Sequence, residues 1–426
     1  MLRLIKNHKW VVMFAFGVGI IMAFPQFYFP YDHADTYKGI YITMTDNDTG
    51  YLARIQEVRD GHPGLGNPIS KYGKEDPYTQ SPLGEIIIAY LGKMFFLDLN
   101  STILLARFLF TFLVFLAVYG LVFLFSRQKI TAVAAATALC LAKPLISRGA
   151  LITLWKGISD PTIFLDLYRP VQPMVSSLFF FSFLLFFWLF LEKRRWVFGI
   201  ISALILGLSF YIYPYTWSFL YAFLGAFCLV LIFQRRWFDL KRIILLTLGG
   251  VFIAIPYLLN VYRSISNPNF IDVTRRFGLI ETHQPILGFL VPSLFIIFLI
   301  FFPKKSRERF IFCLALLLAP FIVLNQQLIT GKDFHSGHYH WFYHQPLAVI
   351  FLVIIVLYQT GFWQGKLRLF KNINLSKILA CLIIGASLYT GIVIQAASYK
   401  ASESRILYDQ RYSPIVQWFN AHAQKE

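Results

Sequence analysis

Long apolar runs separated by short polar segments dominate the chain. A helix that crosses a bilayer needs about 20 mostly apolar residues. Eleven runs of this kind fall at roughly 9–30, 102–125, 130–146, 173–191, 197–214, 216–233, 243–262, 286–302, 310–329, 346–361 and 379–397. The pattern predicts an all-α polytopic membrane protein with about eleven transmembrane helices. One further segment, SPLGEIIIAYLGKMFF at 81–96, is apolar but short, and Glu85 and Lys93 interrupt it. It predicts a juxtamembrane helix lying on or dipping into the membrane surface. The first run follows the cationic stretch MLRLIKNHKW, as a signal peptide would. It is long enough to span and lacks a small-residue cleavage site, so a retained helix is expected.

Composition agrees with this pattern and charge orients it. The 426 residues are 57% hydrophobic and 14% charged, where a soluble domain carries about 25% charged residues. A net charge of +18 would suit nucleic acid, but the basic residues sit in short loops between apolar runs. The first ten residues and the loops SRQK, EKRRW, QRRWFDLKR, PKKSRER and WQGKLRLFKNINLSK hold 20 of the 39 Lys and Arg. Of the 21 acids they hold only Glu192, Asp239 and Glu308. By the positive-inside rule these loops and the N-terminus are cytoplasmic. The expected partners include membrane lipids and exclude nucleic acid. Four cysteines without paired spacing read as small core residues.

The opposite face then holds the longer loops, at 31–101, 147–172, 263–285 and 331–345, and a short tail at 398–426. In the first loop, Asp48 is placed to cap a helix starting near Thr49, its carboxylate accepting free amide protons of the first turn. Tyr51, Arg54 and Val58 recur at spacings of three and four and so share a face. Asp46 lies two residues before Asp48. Two carboxylates this close can hold a divalent cation such as Mg or Mn through oxygen ligands, or let one acid act as a base.

A cytoplasmic N-terminus, one span and a long outside loop opening with Asp48, Tyr51, Arg54 and Glu57 at three-residue spacing resemble the GT-C superfamily of membrane glycosyltransferases. The spacing is similar to that of oligosaccharyltransferase catalytic subunits, and protein O-mannosyltransferases and the lipid A aminoarabinose transferase carry a related acidic signature. The Pro-initiated surface helix and Arg107 early in the second span also resemble the family. The likeness covers about residues 1–235, a transmembrane module followed by a variable one at 236–397. It implies a transferase that moves a sugar, with inversion, from a polyprenyl-phosphate donor to a lipid, glycan or protein acceptor on the non-cytoplasmic face. It further implies Asp48 as base, Asp46 second to it, and a further acid, Asp160 or Asp166, from the second outside loop. Asp46 and Asp160 are the metal-ligand candidates. The sequence lacks a WWD-type peptide-binding motif and a folded domain after the last span, which argues against protein N-glycosylation.

Glycosyl transfer needs a base at the acceptor hydroxyl and positive charge at the leaving phosphate. Arg169, between Asp166 and the Pro-flanked start of the fourth span, is the first candidate for the phosphate, and Tyr51 and Arg54 are further substrate contacts. The fourth loop, GKDFHSGHYHWFYHQ, gathers Lys332, His335, His338, His340 and His344 among aromatics. Three readings stay open for it: an interfacial aromatic belt, part of the donor site, or a transition-metal site. Two rival functions also stand, a lipid or sugar transporter or flippase and a non-catalytic membrane assembly factor. The transporter is disfavoured by a nearly charge-free midplane. The expected location is a bacterial or archaeal plasma membrane.

Overall fold

The computed structural model describes residues 8–44, 47–67, 72–143, 156, 164–267, 270–276, 278–303, 306–367 and 374–422. They are almost wholly helical. The chain is a multi-pass membrane protein by the length and apolarity of its helices: among the described residues, eight are long and apolar enough to cross a bilayer. Three of the eleven expected spans are shorter apolar helices, Lys129–Leu141, Trp196–Ser209 and Leu290–Phe301. Each falls short of the ~20 residues a perpendicular crossing requires. The 81–96 segment forms a 12-residue helix, Leu83–Met94, of surface-helix rather than spanning length.

The chain divides into two compact units. The first comprises residues 1–116, 140–175 and 384–426. It contains α1 (Lys9–Asp32), α2 (Asn47–Arg59), α3 (Leu83–Met94) and the first part of α4 (Leu99–Ser126). Residues 164–175 and the C-terminal part of α16 (Leu375–Asp409) complete it with α17 (Ser413–His422). The tail expected at 398–426 is therefore helical through residue 422, and it closes on the first loop. Gln410 donates from Nε2 to the Ile40 carbonyl (2.7 Å) and accepts from the Lys38 and Ile40 amides (2.9 and 3.3 Å). Arg405 donates to the Thr43 carbonyl at 3.0 Å. Phe29, Ile42 and Ile406 form a buried cluster beneath these bonds. Loop backbone with no ladder of its own has its polar groups satisfied this way.

The second unit, residues 117–139 and 176–383, is built on aromatic packing. Phe187 meets Phe223 and Phe227 edge-on at 5.5 Å, and Phe223 and Trp188 pack on Phe312 at 5.3 and 5.5 Å. Helices Trp196–Ser209 and Trp237–Ile265 approach closely at Gly207, where an added Cβ would lie 2.5 Å from Ile253 Cβ. Small residues permit such approach between apolar helices. Among the basic loops of this unit, the three acids are each ion-paired to arginine: Glu192 to Arg127, Asp239 to Arg194 and Arg236, and Glu308 to Arg236.

Two expectations need correction in this unit. The third and fourth loops are not wholly irregular: Leu279–Glu281 and Lys332–Phe334 form an antiparallel two-stranded ladder, with Ile280 opposite Asp333. A pairing across more than fifty residues leaves no local periodicity to read. The fourth loop is also shorter than 331–345, because Gly337–Tyr339 is helical and leads through a π turn, His340–His344, into Gln345–Leu367. Phe342, Tyr343 and His344 there are buried, so the helix continues through them.

Candidate functional site

The first long loop and the described end of the second, residues 164–172, converge in the first unit. Helix α2 starts at Asn47, so Asp48 lies within its first turn rather than before it. Its anion there faces the positive end of the helix dipole. Asp48 Oδ2 accepts from Arg107 Nη2 at 3.1 Å, and both side chains are about 1% exposed. Arg107 also donates from Nε to the Tyr168 carbonyl at 2.6 Å, with its guanidinium 3.6 Å from the centre of the Tyr168 ring. Its Nη1 is buried with no hydrogen-bond partner among the described residues. An intramembrane arginine is costly unless paired; an acid, a carbonyl and an aromatic face supply the pairing here.

Around this pair, Tyr51, Ile55 and Val58 are buried, as is Arg54, which bears out the shared face read from their spacing. Arg54 Nε donates to Glu85 Oε1 at 2.5 Å and Nη2 to the Gln80 carbonyl at 3.0 Å. Arg54 thus ties α2 to α3. Burial pushes the Glu85 carboxyl above the usual carboxylate range, against the pull of Arg54. Burial pushes the Tyr51 phenol up to about 12, with the charges of Arg169 and then Arg54 acting on it in the opposite sense. Tyr51 therefore remains an O–H donor at neutral pH. Glu57 is bonded to Lys74 at 2.5 Å.

From the second loop, a single helical turn Asp166–Tyr168 sets Asp166 against Lys143, to which it is directly ion-paired. The Asp166 side chain is 22% exposed, the more accessible of the two described acids of the site. Arg169 follows and is partly buried. Val171, two residues on, packs on Gly84 of α3, where an added Cβ would lie 2.5 Å from Val171 Cγ1. Asp48, Tyr51, Arg54, Asp166 and Arg169 thus belong to one unit. Asp46 and Asp160 lie outside the described residues. Asp48 is engaged by Arg107 and Asp166 by Lys143, so a divalent cation at either carboxylate would have to compete with the cation already paired to it.

Sequence reasoning missed Lys143 and Tyr168. Lys143 had a signal, being an ammonium at the end of an apolar run, which needs a counter-charge. Tyr168 had none, since an arginine–aromatic contact 61 residues apart is invisible to local patterns.

The histidine segment lies in the second unit. His335 and His338 stack at 4.3 Å, and His338 Nδ1 is 2.7 Å from Tyr213 Oη, with the Tyr215 ring edge-on at 4.8 Å. His340 turns instead to Gln345, its Nε2 3.2 Å from the amide, while Lys332 sits exposed on the strand. Among the described residues the histidines do not bring three metal-ligand atoms together; the group that does so is Asp32, His33 and Glu403.

Compared with known proteins, the chain matches no protein-family profile, and no curated protein is detectably similar to it.

Proposed function

We propose that the protein is an inverting, GT-C-like glycosyltransferase that takes a sugar from a polyprenyl-phosphate donor on the non-cytoplasmic face of the membrane. The observation that carries this reading is the convergence of two loops whose acids meet cations borne by the flanking apolar segments: Asp48 with Arg107, and Asp166 with Lys143, in the unit that also holds Arg169 and Tyr51. In the reaction, an acceptor hydroxyl attacks the anomeric carbon as the bond from that carbon to the phosphate oxygen breaks. The hydroxyl proton passes to a carboxylate, and the polyprenyl phosphate leaves with its charge held by cations. Asp166 is the acid solvent can reach, so we assign it the proton. Arg169 has the planar fork that suits a phosphate, and the Tyr51 O–H can add a hydrogen bond. Asp48, fully covered, is assigned a positioning role: it holds Arg107, which in turn holds Tyr168 and the second loop.

Equilibrium binding of polyprenyl phosphate to the purified protein tests this arrangement. Arg169→Ala is expected to weaken binding at least tenfold, and unchanged affinity would remove Arg169 from the site. The burial of the Asp48–Arg107 pair also supports a second reading, a non-catalytic assembly factor in which the same residues only fix the loops. In that case neither variant at Asp166 nor at Arg169 would alter any transfer reaction.

A further inference from the structure

Helices α1 and α16 enclose a groove of about 580 Å3 in the first unit, and nothing above uses it. Its floor is apolar, formed by Ile20, Ile21, Phe24, Ile392 and Ala396. Its far end is polar and charged. Asp32, Lys400 and Glu403 line it there with Tyr28 and Tyr399. His33 Nε2 lies 3.0 Å from Glu403 and 3.5 Å from Asp32, and Tyr399 Oη donates to Asp32 at 2.7 Å. Lys400 is exposed and has no ion-pair partner among the described residues.

The dimensions match one membrane leaflet. Ile20 and Asp32 are twelve residues apart on one helix, about 18 Å along its axis, while half of the bilayer hydrocarbon is roughly 15 Å deep. Helix α16 has 35 residues, about 52 Å, so it outreaches the hydrocarbon and carries Lys400 and Glu403 in its C-terminal third. The groove is therefore apolar over the length of a chain and charged at one end.

We propose that this groove binds an aminophospholipid, of the phosphatidylethanolamine class, as a bound rather than a bulk lipid. The acyl chain lies along Ile20, Phe24 and Ile392. The primary ammonium sits between the Asp32 and Glu403 carboxylates, which accept its N–H donors, and Lys400 takes the phosphate. Two carboxylates disfavour an anionic headgroup without an amine. A quaternary ammonium, which has no N–H to donate, satisfies them less well. The same three side chains that could ligate a cation are thus read as an ammonium site.

The test uses the full-length protein in phosphatidylcholine bilayers containing trace lipids spin-labelled near the end of one chain. Electron paramagnetic resonance then measures the motionally restricted fraction for labelled phosphatidylethanolamine, phosphatidylglycerol and phosphatidylcholine. The expected result is a restricted fraction at least threefold larger for phosphatidylethanolamine. That preference should vanish in Asp32→Asn/Glu403→Gln, and Ala396→Trp, a substitution at an exposed position of the lining, should reduce the fraction by filling the groove. Equal fractions for the three lipids in the wild type would overturn the proposal. So would a preference that survives both variants, or one that requires added Mn2+ or Zn2+ and is lost with chelator, which would assign the cluster to a metal ion instead.

Discussion

Arg107 is the residue on which the first unit depends most. Its guanidinium is spent on Asp48, the Tyr168 carbonyl and the Tyr168 ring, all removed from water. Breaking one side of a buried ion pair leaves an uncompensated charge and costs roughly 3–5 kcal/mol, whereas replacing both partners by apolar groups is often close to neutral. Arg107→Met is therefore expected to lower the thermal unfolding temperature sharply, and Arg107→Met/Asp48→Leu to recover most of the loss. Additive losses in this double-mutant cycle would show that the two residues are not coupled. Asp48 and Arg107 were legible as candidates because an acid after the first span and an arginine inside the second both violate the apolar pattern. Their partnership was not legible, because which charges meet is decided by packing between segments 59 residues apart.

Helix α3 positions both loops through close contact at its glycines. Beside Gly92 an added Cβ would lie 2.1 Å from Thr102 Oγ1 and 2.8 Å from Arg59 Nη1, the two groups that hydrogen-bond each other at 3.0 Å. Gly92→Ala is expected to destabilise by about 1–3 kcal/mol through overpacking. Gly17→Ala, in α1 with nothing within 4 Å of the added methyl, should instead stabilise by about 0.5–1 kcal/mol. Matching melting shifts for the two variants would contradict the role given to α3. At this scale the sequence was most readable. Runs of twenty apolar residues became helices, and the interrupted 81–96 run became a helix too short to cross. Where apolar periodicity carried no information, the sequence showed neither the Leu279–Glu281 and Lys332–Phe334 ladder nor the helical His340–His344 turn.

At the scale of the whole molecule, segments far apart in sequence meet in the first unit, where the C-terminal helices reach the first loop. Gln410 makes three hydrogen bonds to the backbone of residues 38–40, so Gln410→Ala should speed proteolysis in the first loop several-fold while leaving the chain inserted. Unchanged cleavage there would mean that the C-terminal helices do not brace the loop. Nothing in local sequence joins positions 372 residues apart. The charge asymmetry, by contrast, is a property of the sequence alone, and it makes a topological prediction. A cysteine at Arg195, in one of the basic loops, should be labelled by an impermeant thiol reagent only from the cytoplasmic side, and one at the exposed Lys156 only from the other. Labelling of both from one side would invert or refute the orientation on which the proposed chemistry rests.

Radiolabelled sugar transfer from a panel of polyprenyl-phosphate sugars in proteoliposomes, with wild type, Asp166→Asn and Asp48→Asn compared at equal amounts of inserted protein, tests the central proposal most directly. The account predicts transfer by the wild type with at least one donor. It predicts a loss of at least about a hundredfold in Asp166→Asn, within the range removal of a general base produces, and a smaller loss in Asp48→Asn that follows its lowered stability. Transfer unaffected by Asp166→Asn, or absent with every donor although polyprenyl phosphate binds, would contradict it.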